Sequence, residues 1–528
     1  MKKLYLVLIF LLALVLRIYQ LDKVPVGLSN DEISIAYNAY SIMETGRDEY
    51  GQTLPISFKS HNTYKAPVLI YIVAPLTKIF GNNEWSVRLP SAVLGSLTVI
   101  ILGLVVFELT KNKNLSLWSA FILAVTPWHI YTSRVGFESN VALFFLLLGV
   151  YLFLKGLKKQ KWMIVSVISF VISMYSYHTE WVFTPLLIAA LVITFFSELK
   201  HKKSLLLLGA ALFILLTTPL IFDGLSHASD TRAGTEILTK DPTLIKILES
   251  NQNGPLAGML IITDFWIKSY LSYFNPAYLF FNALPVPSEF SSQRLGLFNF
   301  IQLPLMLMGL MALLKSEKSF RKLIIFWLLT GPLVPSLTLG GLNLVRNLVS
   351  IVPFVVLIAL GSNYFIKQFQ NLKKLTIILI FVILLNLFIF LETYFIHFPI
   401  ESAENWSYGF KEMALYLHQN KDKYQELIVD PNYGVLDHKL VGVPSLFILY
   451  FDKLDPAVYL TQKKDQNGQL IFENYTIREV NWVAEKINPH NLYVTGARVT
   501  PLTNQKVREV NSIYLPDGNK AFSFFESY

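Results

Sequence analysis

Long apolar runs, separated by short lysine-bearing connections, dominate the first three quarters of the chain. They fall at residues 4–20, 91–109, 115–131, 139–156, 162–177, 182–197, 204–221, 298–314, 323–339, 347–366 and 375–396. Each approaches the roughly 20 residues that cross a bilayer's hydrocarbon core, so the pattern predicts about eleven transmembrane helices. Two long connections interrupt the alternation, at 21–90 and 222–297. In the first, Ile33, Ala36, Tyr37 and Tyr40 recur at helical spacing. They predict a surface helix from Asp31 to Thr45, with Asn30 or Asp31 as its N-cap. The apolar stretch Pro67 to Phe80 is short for a span and predicts an interfacial or re-entrant segment. In the second connection, the aromatic stretch from Phe265 to Phe274 predicts an interfacial helix or lid.

Near Pro399 the pattern changes. A helical period runs over 408–420, a short buried strand is expected at Glu426–Asp430, and further strands at Asn491–Thr495 and Ser512–Pro516, the last turning at Asp517-Gly518. The chain is therefore expected to be a polytopic α-helical membrane module over 1–396, followed by an α/β domain over 397–528.

Composition agrees: 53% of residues are hydrophobic and 15% charged, against about 25% charged in soluble domains. Charge sets the orientation. With the N-terminus in the cytoplasm, the stretches 1–3, 110–114, 155–161, 198–203, 315–322 and 367–374 lie inside and hold 18 Lys and Arg, whereas the short exterior loops 132–138, 178–181 and 340–346 hold only Arg134 and Arg346. Lys/Arg excess marks cytoplasmic loops, and an odd number of spans then places the C-terminal domain outside. The net charge of +9 is mostly this topological signal and calls for no nucleic acid partner. The first apolar segment has a charged start like a signal peptide, but Arg17 interrupts its end and no small-residue cleavage site follows, so it reads as an uncleaved helix. With no cysteine in the chain, disulfides, thiolate metal sites and cysteine nucleophiles are excluded.

The candidate chemistry clusters in the exterior loops. Asp31 and Glu32 open the predicted surface helix, where the dipole favours an ionised carboxylate; beside a bound hydroxyl, Asp31 could act as a general base. The competing reading has Asp31 capping the helix and Glu32 facing water. Lys65, next to Tyr64 and Ala66-Pro67, is either a snorkelling interfacial lysine or a contact to a phosphate leaving group. Arg134 and Glu138 share one short exterior loop, as a structural ion pair or as part of the same site. Arg346 closes another exterior turn. His178 and Glu180 occupy the remaining one, either lining the cavity or satisfied at the interface. No P-loop, G-x-G-x-x-G or His-x-x-x-His occurs.

The run from Leu16-Arg17-Ile18-Tyr19 through Asp31-Glu32, Tyr64-Lys65-Ala66-Pro67, Ile79–Glu84 and Val87-Arg88-Leu89-Pro90-Ser91 resembles the GT-C glycosyltransferases, and within them the protein O-mannosyltransferase and aminoarabinose transferase superfamily. The segments Tyr273–Phe281, Phe298–Leu310, Trp406–Tyr424 and Tyr433–Pro456 look like bacterial members of glycosyltransferase family 39. The resemblance implies a multi-pass enzyme using a polyprenyl-phosphate sugar, undecaprenyl phosphate in bacteria, at the exterior face. It implies Asp31 as catalytic base, Lys65 holding the lipid phosphate, and Glu138 as a second acid behind Arg134, where the family usually has Asp. Aminoarabinose transferases carry an acid directly before the Lys; Tyr64 stands there in this chain, which argues against aminoarabinose as the sugar.

The resemblance thus implies inverting transfer of a sugar to an exterior glycan, lipid or protein acceptor. Asp31 takes the hydroxyl proton, Lys65 with Arg346 and Arg134 offsets charge on the phosphate, and Glu32 and Glu138 orient hydroxyls. Tyr64, His178 and Glu180 are candidates to line the cavity. Membrane lipids surround the helices. No cofactor or metal is required, although the paired acids leave room for weak divalent-cation binding. Two rivals share these features: a polymerase or ligase of lipid-linked glycans, and a transporter or flippase of lipid-linked sugars. Against the transporter stand the absence of an inverted repeat and of matched Gly/Pro-broken helices.

Overall fold

The computed structural model describes residues 3–60, 63–226, 236–250, 254–282, 296–368, 373–433, 440–466 and 469–528. Helices occupy each of the eleven apolar segments. The first is α1 (Lys3–Ile18); after the first long loop come α4 (Glu84–Thr110), α5 (Lys113–Val125), α6 (Pro127–Ser133), α7 (Glu138–Gly156), α8 (Lys161–Ser176) and α9 (Glu180–Thr194), then helices Lys203–Ser226, Gln302–Leu314, Lys318–Thr330, Ile351–Gln368 and Lys373–Glu392. Among the described residues six helical stretches are long and apolar enough to cross a bilayer, and five further apolar helices are shorter. This is a helical, multi-pass membrane architecture.

Boundaries moved for local reasons. The segment expected at 115–131 is broken between α5 and α6 by Pro127, which has no N–H to continue the ladder and instead opens the next helix. Helix α4 starts seven residues before the expected 91, because the Asn83 side chain accepts from the Ser86 N–H at 3.2 Å and caps it there.

Helix α1 is tied into the bundle by arginine. Arg17 is fully buried and donates to the carbonyls of Ala13 and Ala124, while its Nη2 lies 2.7 Å from His129 Nδ1. Burying a guanidinium is costly unless its donors are met, and both terminal nitrogens of Arg17 are bonded while its Nε is not.

The first long loop folds as α2 (Asn30–Thr45), a short antiparallel hairpin of β1 (Phe58–Ser60) and β2 (Thr63–Lys65), and α3 (Pro67–Phe80). Both expected helices of this loop are present. The N-cap, however, is Ser29 rather than Asn30 or Asp31, and Gly46 closes α2 in the left-handed conformation at φ 70°. In the second long loop, residues 227–235, 251–253 and 283–295 lie outside the described set; the aromatic stretch forms the C-terminal half of a helix, Pro255–Ser272.

The C-terminal region carries a sheet of seven strands among the described residues. These are β3 (Glu426–Val429), β6 (Lys464–Gln466), β7 (Gln469–Phe472), β8 (Tyr475–Ile477), β9 (Asn491–Gly496), β10 (Val507–Tyr514) and β11 (Lys520–Ser527), in the order β10-β11-β9-β3-β8-β7-β6, with β4 (Asn432–Tyr433) and β5 (Leu440–Val441) paired separately. β3 runs parallel to both neighbours; the other pairings are antiparallel. Helices Phe410–Asn420, Pro444–Phe451 and Pro456–Gln462 cover this sheet.

Two large apolar cores result. One is formed by the membrane helices. The other unites Ile33, Ala36 and Tyr37 of α2, Leu69, Ile70 and Val73 of α3, and Phe410, Phe447, Ile448, Tyr459 and Phe522 of the C-terminal region. The first long loop and the C-terminal region are therefore packed together through this core.

Candidate functional site

The start of α2 is built by a reciprocal capping box. Ser29 Oγ accepts from the Glu32 N–H, and Glu32 Oε2 accepts from the Ser29 N–H, both at 3.2 Å. This leaves Asp31 in the first turn without the capping duty. Its Oδ1 lies 2.5 Å from Lys65 Nζ; the Asp31 side chain is 33% exposed, whereas that of Lys65 is 2% exposed. A carboxylate open to one side is thus backed by a buried ammonium.

Lys65 is held from both directions. Through the hairpin it pairs with Phe58. The next N–H, of Ala66, donates to Glu138 Oε1 at 2.7 Å. Glu138, the first residue of α7, therefore fixes the chain at the point where Lys65 leaves the hairpin and Pro67 starts α3.

Glu32 does not face water. It is fully buried and its carboxylate meets Arg88 Nε at 2.9 Å and Nη2 at 3.1 Å, with the Gly136 N–H donating at 2.9 Å. Arg88 completes its donors on the carbonyls of Leu21, Pro25 and Gly27, and its guanidinium lies 5.9 Å from the Trp406 ring. A buried ion pair survives desolvation only with its remaining donors and acceptors met, and this pair meets that condition. The close approach explains Gly27: a Cβ there would lie 2.1 Å from the Trp406 carbonyl oxygen.

The remaining expected residues divide. Tyr64 is buried on β2, opposite Lys59. Arg134 donates to the carbonyls of Leu16, Gln20 and Val24 at 2.9–3.2 Å and stacks over Phe395 at 4.8 Å, so in this arrangement it staples α1. Glu180 is buried and accepts from Thr184 Oγ1. Arg346 pairs with Glu236 and donates to the Leu339 carbonyl. It lies at a cavity of about 240 Å³ lined also by Tyr177, His178, Trp181, Val334 and Leu337. The structure thus brings Asp31, Lys65 and Glu138 into one constellation and groups Arg346 with His178 at a second.

Sequence reasoning missed a buried polar stripe on α2. Ser34, Asn38 and Ser41 follow Asp31 at spacings of three, four and three, which is one face of a helix. Asp31 meets Lys65; Ser34 Oγ lies 2.5 Å from Ser60 Oγ; Asn38 Nδ2 donates to Glu49 Oε2 at 3.2 Å; Ser41 donates to the Arg47 carbonyl at 2.7 Å. Each rung holds a different part of the loop. The polar period beside the apolar one was the available signal. Burial pushes the Glu49 carboxyl up to about 8, with neighbouring Asp48 adding to the effect. Asp48 is raised by the same burial, against backbone N–H bonds from Gln52 and Tyr50.

No group of three or more His, Cys, Asp and Glu residues among those described is disposed to hold a metal ion. What the constellation offers is a partly exposed carboxylate with a buried ammonium behind it.

Residues 64–222 match the family model described as dolichyl-phosphate-mannose-protein mannosyltransferase. The chain is 28% identical over 167 residues to "Putative mannosyltransferase YkcB" of Bacillus subtilis, covering 30% of this chain and 23% of that protein. It is 29% identical over 180 residues to dolichyl-phosphooligosaccharide-protein glycotransferase 1 of Archaeoglobus fulgidus, covering 33% and 28%. The aligned stretches thus span about a quarter of these relatives' own lengths. Across nearly the whole chain, the fold matches crystal structures of ArnT from Cupriavidus metallidurans at 12% identity. The apo state aligns with TM-score 0.55, and the form bound to undecaprenyl phosphate with 0.54, each covering 99% of this chain and 98% of ArnT. The resemblance to the GT-C superfamily drawn from the motifs is borne out.

Proposed function

We propose that this protein transfers a sugar from a polyprenyl-phosphate donor to an acceptor at the exterior face of the membrane, with inversion at the anomeric carbon. The observation that carries this reading is the contact between the open Asp31 carboxylate and the buried Lys65 ammonium, at 2.5 Å. The match to a mannosyltransferase family and the undecaprenyl phosphate bound to ArnT support the donor class.

In this mechanism the acceptor hydroxyl binds against Asp31. As its oxygen forms a bond to the anomeric carbon, its proton passes to Asp31 Oδ. The bond from the anomeric carbon to the phosphate oxygen breaks, and the polyprenyl phosphate departs with the electron pair. Lys65 faces the charge growing on that phosphate, a stabilisation worth more where water is excluded. Glu138 acts by holding the Lys65 segment, and Glu32 by holding the start of α2. Eleven spans with the N-terminus in the cytoplasm put the loop at 21–90 and the C-terminal domain on the exterior side, where a glycan, lipid or protein supplies the hydroxyl.

The test uses purified full-length protein in lipid, a panel of radiolabelled undecaprenyl-phosphate sugars and an envelope extract as acceptor source. Asp31→Asn is expected to keep binding undecaprenyl phosphate and to lose label transfer by about 10²- to 10⁴-fold, the usual contribution of a positioned base. Transfer by Asp31→Asn at the wild-type rate would remove Asp31 as the base.

A further inference from the structure

Three rungs of the α2 stripe are closed from within the first loop, but the Asn38–Glu49 rung is also gripped from outside. Lys463, which follows helix Pro456–Gln462 of the C-terminal domain, donates its Nζ to the Glu49 carbonyl at 2.7 Å. The same ammonium lies 5.0 Å from the Tyr50 ring and 5.3 Å from the Tyr459 ring. Tyr459 in turn meets Tyr37 of α2 edge to face at 6.0 Å. Lysine ammoniums are strongly hydrated and normally keep to water; here, on a half-buried side chain, a carbonyl and two aromatic faces take part of that water's place.

The turn it grips leads directly to the reacting pair. Glu49 bonds Asn38 in both directions, its N–H donating to Asn38 Oδ1 at 3.1 Å and its carboxyl accepting from Asn38 Nδ2. The Glu49 carboxyl also lies within the field of Lys65. Asp31 and Asn38 stand two turns apart on one face of a capped helix, so a shift of the turn is passed on as a shift of α2.

We propose that Lys463, carried by the C-terminal domain, is a positioning residue for the Asp31–Lys65 pair and acts through the Asp48–Glu49–Tyr50 turn. The inference rests on the reading of that pair given above. It assigns the C-terminal domain a part in setting the site's geometry.

The experiment uses the full-length protein in nanodiscs, with undecaprenyl phosphate itself as the probe. Its affinity is measured alongside hydrogen exchange over residues 46–65. Lys463→Met is expected to weaken undecaprenyl phosphate binding by about tenfold, or about 1.4 kcal/mol, and to speed exchange in the turn. Lys463→Arg, which keeps charge and donor, is expected to restore both. Wild-type affinity in Lys463→Met overturns the proposal, whether or not exchange changes. So does a loss of affinity that Lys463→Arg fails to restore while thermal stability falls in both variants, since that marks simple unfolding. Lys65→Ala is the separate control: if it binds undecaprenyl phosphate like wild type, the reading of the pair falls first and takes this inference with it.

Discussion

Replacing Glu49 by glutamine should stabilise the protein, and by more as pH rises. The side chain is 6% exposed, sits against Asp48, and has its carboxyl raised from an ordinary 4.5 to about 8. A folded-state value above the unfolded one means that the native chain holds a proton which the unfolded chain releases. Stability is therefore lost as pH climbs from about 4.5 to about 8 and is level beyond. At 1.36 kcal/mol per pH unit the full swing is about 5 kcal/mol, of which about 3 kcal/mol has accrued by pH 7. Glutamine has the shape of the protonated acid, keeps an oxygen for Asn38 Nδ2, and releases no proton. Thermal unfolding of both proteins in one detergent, from pH 5 to pH 9, reads the difference directly. The two curves should lie nearest at pH 5, separate up to pH 8, and run parallel above it. A separation that is constant across the range, or a glutamine variant less stable at pH 9, would refute the reasoning.

Arg88→Leu leaves the Glu32 carboxylate buried without its cation; a loss of about 3–5 kcal/mol is expected, seen as a lower unfolding temperature and faster exchange at the start of α2. Glu138→Ala removes the acceptor of the Ala66 N–H and should cost about 1–3 kcal/mol together with transfer activity. Glu138→Gln keeps an oxygen in place and should retain most of both, so equal loss in the two variants would show that the negative charge, not the hydrogen bond, matters. Arg134→Gln loosens α1 by breaking its carbonyl contacts, and should lower thermal stability while leaving the affinity for undecaprenyl phosphate near wild type.

Residue type and local pattern went far in this chain. Asp31 and Lys65 were singled out as a carboxylate and a cation in one loop, and they meet. The helices of that loop were legible from their apolar period, and β3 and β9 from compact apolar runs. The partners of Glu32 were not legible, because Arg88 is 56 residues away and nothing in either neighbourhood encodes the pairing. A carboxylate at a helix start looks the same in sequence whether it faces water or an arginine. The partners of Arg134 were not legible for the same reason: in sequence it reads with Glu138 as an ion pair or as part of one site, whereas its guanidinium donates to the carbonyls of Leu16, Gln20 and Val24, and Glu138 accepts from the Ala66 N–H. Helix Pro444–Phe451 escaped because every position in it is apolar or proline-adjacent, so no period distinguishes a helix from a strand.

The shared core of α2, α3 and the C-terminal domain redraws the unit that opens and closes as one. Local unfolding follows contiguous packing rather than chain order, so the residues around Asp31 and Lys65 should open together with the C-terminal region as well as with the α4 and α7 ends that hold Glu32 and Ala66. Cutting the chain after residue 396 would not release a self-sufficient membrane module. It would strip α2 and α3 of their partners and turn the loop's buried apolar face into an aggregation-prone surface at the membrane boundary.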